Sequence, residues 1–321
     1  MDMLHGRLAG KLLRFTLPIA LSSMIQQLFN AADTAVAGRF GSEAALAAVG
    51  TNTEIIALIV TLSSGLSIGA NILIADQIGR AETKRLPAAV QTAVILAALT
   101  GLIGLLLGQV AAGPLLRLIR TPEGIFDVAA LYLRIYMLGY PFLLLYDFGA
   151  SVLRARGDSR YPFLALVLSG LVNVALNLFF VTALRMGVAG IAIATDSSTL
   201  LSAFLVLHRL KRDALFRFTL CGASFSPRIA WRMLKTGIPS AVQGAVFCFA
   251  NIFVQASVNR FGETAIAGST IAMNFEYFTY YIITAFGQTA TTFTSQNHVA
   301  GQRARCRRIL WLCLGLSVVC S

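Results

Sequence analysis

Long apolar stretches alternate with short polar segments along this chain of 321 residues. The apolar stretches cover residues 12–38, 52–76, 88–112, 125–151, 161–183, 187–208, 233–258 and 265–295. A helix needs about 20 apolar residues to cross a bilayer, and each stretch reaches that length. The pattern therefore predicts an all-α polytopic membrane protein with eight full spans. The apolar residues that follow Arg308 predict the beginning of a ninth span, so we expect a C-terminally truncated chain.

The chain also repeats itself. Residues 39–41 and 260–262 both read Arg-Phe-Gly, and other identical residues recur 221 or 222 positions apart. The pairs are Pro18 with Pro239, Asn30 with Asn251, Arg39 with Arg260, Gly41 with Gly262, Glu54 with Glu276, and Gly79 with Gly301. Such repeats are typical of secondary transporters, whose substrate site lies between the halves. We expect a six-helix lobe at residues 1–219 and an incomplete second lobe at residues 220–321.

The distribution of Lys and Arg along the chain predicts how the spans are oriented in the membrane. Hydrophobic residues make up 57% of the chain and charged residues only 12%, which excludes an ordinary soluble domain. Most of the 26 Lys and Arg fall in the predicted loops at one end of the spans. The positive-inside rule makes that end cytoplasmic, so we expect a multi-pass protein of the plasma (inner) membrane with a cytoplasmic N-terminus. This distribution accounts for the net charge of +12 without a nucleic-acid partner.

Motifs for covalent catalysis do not occur in the sequence. There is no His-Glu-x-x-His zinc motif, no phosphate-binding loop with its Lys, and no serine-nucleophile motif. The five cysteines lack a metal-ligand spacing. The sequence therefore predicts neither an enzyme nor a bound cofactor or metal.

Polar residues inside the apolar stretches are the informative ones, because a charge at mid-membrane costs roughly 2.5–3.5 kcal/mol or more. Gln26, Asn30 and Asp33 lie at helical spacing on one face of the first span. Burial of Asp33 would favour its neutral form, so this carboxyl could load and release a proton, or hold Na⁺ when ionised. The alternative is a solvated Asp33 at the outer interface, paired with Arg39.

Further polar positions occur in later spans. Asn173 and Asn177 share a face of the fifth span, and Thr195 and Asp196 lie in the sixth; such groups are also common as structural contacts between helices. In the second half the polar candidates for a substrate cavity are Gln243, Asn251, Gln255, Glu276, Tyr277 and Tyr280, to which we add Gln26 and Glu54 from the first half. An acid among aromatic rings suits an organic cation, although Glu276 could instead pair with a basic neighbour.

Two prolines, Pro18 and Pro239, permit a bend in the first and seventh spans, because each removes a backbone hydrogen bond. A bendable helix that carries a buried acid could act as a gate, and a static kink is the ordinary alternative. We therefore treat both prolines as candidate gating residues.

Several segments together resemble the multidrug and toxic compound extrusion (MATE) family. They are residues 30–38 (NAADTAVAG), 46–50 (LAAVG), 153–159 (LRARGDS), 173–177 (NVALN), 187–195 (GVAGIAIAT), 237–239 (GIP) and 295–297 (SQN) with Gly301. The resemblance covers essentially the whole chain. It implies two six-helix lobes, alternating access, and export of small organic cations in exchange for H⁺ or Na⁺ by a monomeric protein in contact with membrane lipid.

Carried over by position, the resemblance assigns a cation or proton site to Asp33, Asn173, Asn177 and Thr195, and a bending role to Pro18. Position 177 is Asn where several branches of the family carry Asp, so this site has one carboxylate fewer. Asp196 and Asn30 are auxiliary candidates, although Asp196 points about 100° away from Thr195. This pattern favours H⁺ over a two-carboxylate Na⁺ site.

Two other functions remain open at this point. A lipid-linked precursor flippase of the same superfamily would need cationic residues facing its cavity, whereas the Lys and Arg here lie at span ends. A non-transporting truncated remnant is the second alternative, and the retained polar positions argue against it.

Overall fold

The computed structural model describes residues 1–216, 225–258 and 263–321. The side chains of residues 252, 253, 255, 256, 258 and 263–275 lie outside this description. Helices account for nearly all of the described chain, and no strand occurs within it. The helices are α1 (Leu8–Phe40), α2 (Glu43–Gly79), α3 (Leu86–Leu118), α4 (Glu123–Leu138), α5 (Tyr140–Ala155), α6 (Arg160–Leu178), α7 (Gly187–Arg212), α8 (Pro227–Val258), α9 (Glu263–Val299) and α10 (Arg303–Cys320).

The predicted all-α membrane architecture is confirmed in its main feature. Among the described residues, five helices are long and apolar enough to cross a membrane, and the pair α4–α5 adds a sixth span if it is taken as one. These six coincide with the six apolar stretches predicted between residues 12 and 208. The basic loops lie where α2, α5, α7 and α9 end, and we call this side of the bundle the basic end.

The stretch 125–151 was predicted as a single helix, and it is two. Helices α4 and α5 meet at Gly139 with a bend of 44°. Pro141 follows within the first turn of α5, where its missing N–H is not needed for the helix but would interrupt a helix that continued through it. The break therefore follows from a Gly and a Pro in close succession.

Two apolar clusters fill the interior. The larger one joins α2–α7 with the beginning of α8, whereas the smaller one contains Leu12, Phe15 and Ile19 of α1 together with Phe293 of α9 and Ile309 of α10. The far half of α1, at Val36 and Ala37, belongs to the larger cluster. Helix α1 therefore contributes to both clusters.

Helix α2 makes the close contact with the second half of the chain. The Cα of Gly69 faces the backbone of Met233, and that of Gly237 faces the backbone of Leu66, so a side chain at either glycine would overlap the opposite helix. Such close approach between membrane helices is favoured by small residues.

Most of the repeat lies within described helices. Pro18 and Pro239 are both inside continuous helices, α1 and α8, so neither proline ends its helix. The second Arg-Phe-Gly at 260–262 and the predicted lobe boundary at 219/220 lie outside the described residues, as does the side chain of Gln255. The superposition of the two halves and the lobe boundary stay predictions.

Candidate functional site

Amide and hydroxyl groups surround Asp33 inside the bundle formed by α1–α7. We call Asp33 and the residues that hold it, Asn173, Asn177 and Thr195, the cage. The side chain of Asp33 is buried, with a residue exposure of 4%. The amide of Asn177 donates to Asp33 Oδ1, and the hydroxyl of Thr195 donates to Asp33 Oδ2 at 3.1 Å. Asn173 Nδ2 donates to the Thr195 hydroxyl at 3.2 Å, and its Oδ1 accepts from Asn177 at 3.3 Å. The structure thus brings these four predicted residues together, and their role as a cation or proton site stays a prediction.

Local packing explains why the four side chains converge. Helices α1 and α6 both run away from the basic end, and the ring of Phe29 lies directly against the backbone of Gly170. One turn beyond these residues, Asp33 comes level with Asn173, and Asn177 lies one further turn along α6. Thr195 enters from α7, which packs against α6 and α1. Just beyond Asn177, α6 ends in a π-helical turn at Phe179–Ala183, a feature that is frequent at functional sites.

Burial of Asp33 overturns the alternative of a solvated carboxylate at the interface. Within the described part of the chain, Asp33 forms no ion pair with Arg39 or with any other basic residue. Its charge is balanced only by the dipoles of neutral donors, which cannot replace a positive charge. A proton on Asp33 would remove that cost, so the geometry suits a carboxyl that alternates between two charge states.

The Thr195 hydroxyl can follow such a change. It lies 3.1 Å from Asp33 Oδ2 and also 3.1 Å from the backbone carbonyl of Ile191. One hydroxyl hydrogen can serve only one of these acceptors at a time. When Asp33 takes up a proton, the hydroxyl can turn to Ile191 without losing a hydrogen bond. Asn177 Oδ1 is buried without a donor, so the cage also holds a spare acceptor.

The two auxiliary candidates do not join the cage. Asn30 is exposed, because it lies about 60° around α1 from Asp33. Asp196 points to the other side of α7, as its position predicted, and its carboxylate lies against Gly139 at the α4–α5 break. There it lines a small cavity with Tyr136, Tyr140 and Thr199.

Candidate cavity residues of the second half form an aromatic cluster rather than a polar one. The rings of Phe247 and Tyr280 stack with centroids 4.8 Å apart, and Tyr281 meets Tyr280 edge to face. Tyr281 donates to Gln27 of α1 at 3.1 Å, so the cluster reaches across to the first half of the chain. Tyr277 stacks on Tyr281. Among the predicted polar residues, Gln26, Tyr277 and Tyr280 are half-buried, Asn251 is partly buried, and Glu54, Gln243 and Glu276 are exposed.

One partly buried acid was missed by sequence reasoning. Asp147 of α5 lies inside the bundle and accepts a hydrogen bond of 2.6 Å from the hydroxyl of Ser63 on α2. The signal was present, since Asp147 interrupts an apolar stretch just as Asp33 does.

A family model described as MatE matches residues 18–179 and 239–321, which together make up most of the chain. The chain belongs to the MatE family. The match includes Asp33, Asn173 and Asn177, whereas Thr195 lies between its two segments. Membership of this family also makes the chain a multi-pass membrane protein of a transporter family.

Similar proteins of known name agree with this assignment. The "Probable multidrug resistance protein YoeA" of Bacillus subtilis is 27% identical over 95% of this chain and 68% of its own length. The "Probable multidrug resistance protein NorM" of Thermotoga maritima is 29% identical over 86% of this chain and 60% of its own length. The "FAD transporter" of Shewanella oneidensis is 25% identical over 98% of this chain and 72% of its own length.

Solved structures give the same fold. An "outward-facing conformation of a multidrug resistance MATE family transporter of the MOP superfamily" superposes with a TM-score of 0.89 at 25% identity, covering 98% of this chain and 70% of the other. A MOP superfamily transporter from Pyrococcus furiosus, whose title reports reverse polarity of its binding pocket, superposes with a TM-score of 0.87 at 24% identity, covering the same shares of the two chains.

Proposed function

We propose that this MatE-family protein exports small organic cations across the cell membrane in exchange for H⁺, by alternating access. The observation that carries the proposal is Asp33, a buried carboxyl held by Asn177 and Thr195 with no basic partner among the described residues. Burial stabilises the protonated form of such a carboxyl, and its ionised form is unfavourable in free energy. This cost is what an ion gradient can use to drive a conformational change.

The chemistry of the cage favours H⁺ over Na⁺. A proton needs one carboxyl and a rearrangement of one hydroxyl, and both are present at Asp33 and Thr195. A Na⁺ ion needs several oxygen ligands, and a second carboxylate would offset its desolvation better than an amide. Asp196 does not supply that carboxylate, because it lies on the opposite side of α7.

The aromatic cluster supports a cationic substrate. Stacked rings of Phe247, Tyr277, Tyr280 and Tyr281 suit a flat organic cation, and Glu54 and Glu276 lie within electrostatic reach of Tyr277. One similar protein is named for FAD, an anionic molecule, and acids at such a cavity would disfavour it. Asp33 would then bind the proton while Glu276 attracts the substrate, so that the two ligands stabilise opposite states.

The proposed function implies an orientation in the membrane and a position for the proton site. The basic end faces the cytoplasm, with the N-terminus inside, and the first lobe holds the proton site. Pro18 and Pro239 allow α1 and α8 to bend between the two states. The protein would act as a monomer in the lipid bilayer.

The direct test replaces Asp33 by Asn in protein reconstituted into liposomes. We expect uptake of a cationic dye driven by a pH gradient to fall at least about tenfold, because Asn cannot bind and release a proton. Asn30→Ala is the matched control, since it changes an exposed polar residue one turn earlier on the same helix. Full dye transport by Asp33→Asn would refute the proposal, and transport driven by a Na⁺ gradient but not by a pH gradient would replace H⁺ by Na⁺. Uptake of FAD instead of the dye would refute the cationic substrate.

A further inference from the structure

Asp147 is a partly buried acid that the Asp33 cage does not use. It lies on α5 eight residues after Gly139, which places it about 12 Å closer to the basic end than the α4–α5 break. Its one hydrogen bond among the described residues comes from Ser63 Oγ at 2.6 Å. A single hydroxyl is a weak substitute for the water that a carboxylate loses on burial.

The charged surroundings of Asp147 do not neutralise it directly. Arg154 lies two turns further along α5 and attracts it electrostatically, but the Arg154 guanidinium donates to Gln288 of α9 at 3.3 Å. Helix α2 presents only Ser63 at this level, since its acids Glu54 and Asp76 lie nine and thirteen residues away.

The other helices packed on α5 add no basic partner at this level. The only charged residue of α3 is Arg117, one residue from its far end, and the acid of α7, Asp196, lies at Gly139. Tyrosines lie near this level instead: Tyr146 precedes Asp147, Tyr140 lies two turns earlier on α5, and Tyr136 lies in the last turn of α4. Asp147 forms no salt bridge within the described residues.

On one side, α5 leads from Asp147 back to the α4–α5 break, where Tyr136 and Tyr140 lie. The small cavity lined by Asp196, Tyr136 and Tyr140 lies at this break. Counted along their helices from the basic end, Asp147 lies nearest to it, Asp196 further away and Asp33 furthest.

On the other side, hydroxyl and amide groups continue from Asp147 to the basic end. Ser151, one turn after Asp147, hydrogen-bonds to Ser67 at 2.9 Å, and Asn71 donates to the Ser151 carbonyl at 3.0 Å. Thr292 of α9 donates to Asn71 Oδ1 at 2.9 Å. These groups give a proton successive acceptors in an otherwise apolar interior.

We propose that Asp147, held by Ser63, is a second proton-binding carboxyl of the transport cycle, placed between Asp33 and the basic end. The carboxylate takes up a proton that arrives from the Asp33 side and releases it through the hydroxyls of α2 and α5 toward the basic end. No bond other than O–H forms or breaks. The inference rests on the proposed H⁺ exchange and adds a second site to it.

The test counts protons rather than transport. Purified protein in weakly buffered detergent solution is mixed with tetraphenylphosphonium, and a pH indicator reports the protons released per cation bound. We expect Asp147→Asn to release about one proton fewer than the unmodified protein, as should Asp33→Asn, because each removes one exchangeable site. Asp127→Asn, which changes an exposed acid of α4, should leave the count unchanged.

The outcomes separate this inference from the function on which it rests. No proton release by the unmodified protein would overturn the H⁺ exchange itself. Release that is equal in the unmodified protein and in Asp147→Asn would overturn only the second site and would leave Asp147 as a fixed charge balanced by Arg154.

A second measurement applies if Asp147→Asn fails to fold. In infrared difference spectra taken on cation binding, Asp147→Glu must move the band of a protonated carboxyl. Bands identical to those of the unmodified protein would reject the second site.

Discussion

At the residue scale, Asn177 sets the character of the proton site. Its amide donates to Asp33, and its own oxygen is buried without a donor. An Asp at this position would place two carboxylates in contact, where they could share a proton or enclose a cation. The neutral Asn leaves a single exchangeable charge in the cage.

We therefore expect Asn177→Asp to create a response to Na⁺ that the unmodified protein lacks. Dye transport driven by a Na⁺ gradient in liposomes measures it, and the variant should exceed the unmodified protein by at least about threefold. Asn30→Asp, which adds an acid at an exposed position on α1, should show no such gain. If both variants respond alike, the effect is one of general negative charge and not of the cage.

The residues of the cage were predictable, whereas their surroundings were not. Asp33, Asn173, Asn177 and Thr195 stand out because polar groups are costly in a membrane interior, and helical spacing indicates which of them share a face. The orientation of Asp196 toward Gly139 depends on how α7 packs against the α4–α5 break, which no local pattern reports.

At the element scale, the pairing of α1 with α6 decides whether the cage forms. Phe29 lies against the backbone of Gly170, and this contact sets the register between the two helices. The sequence predicted both helices but not this contact, because it depends on which helices become neighbours. The break at Gly139, by contrast, could have been predicted from Gly139 and Pro141, but the continuous apolar stretch favoured a single helix.

Gly170→Ala tests the register. Its new methyl group would overlap the Phe29 ring, so we expect a loss of about 1–3 kcal/mol in stability and a weakened proton site. Thermal unfolding in detergent and dye transport measure the two effects. Gly50→Ala in α2 is the control, because nothing lies within 4 Å of the added group, and its helix should be stabilised slightly. Combining Gly170→Ala with Phe29→Ala should restore transport; if it does not, register is not the cause.

At the scale of the whole molecule, the first residues of the chain bind the two halves together at the basic end. The guanidinium of Arg305, in α10, donates to the carbonyls of Gly6, His5 and Met3 at 3.0, 3.1 and 3.3 Å. Asn297 of α9 donates to the Met3 carbonyl as well, at 3.2 Å. The sequence predicted a basic loop here, but no pattern in it indicated that one of its arginines would donate hydrogen bonds to backbone carbonyls.

Arg305→Ala should therefore loosen the N-terminal segment. We expect faster hydrogen–deuterium exchange in residues 2–8 and a stability loss of about 1–2 kcal/mol, since three backbone carbonyls lose a charged donor. Arg307→Ala, an exposed neighbour on the same helix, should change neither quantity. Unchanged exchange in Arg305→Ala would mean that the apolar contacts of Met3 alone hold the segment.

The division of α1 between two apolar clusters has a consequence for biogenesis. Leu12, Phe15 and Ile19 pack with Phe293 and Ile309, which are synthesised some 280 residues later. Helix α1 enters the membrane well before α9 and α10, so this half of it lacks these partners until they emerge from the ribosome. During that interval its apolar surface must be covered by lipid or by the insertion machinery. Assembly of the Asp33 cage, which needs only α1, α6 and α7, is thus separated in time from closure of the basic end.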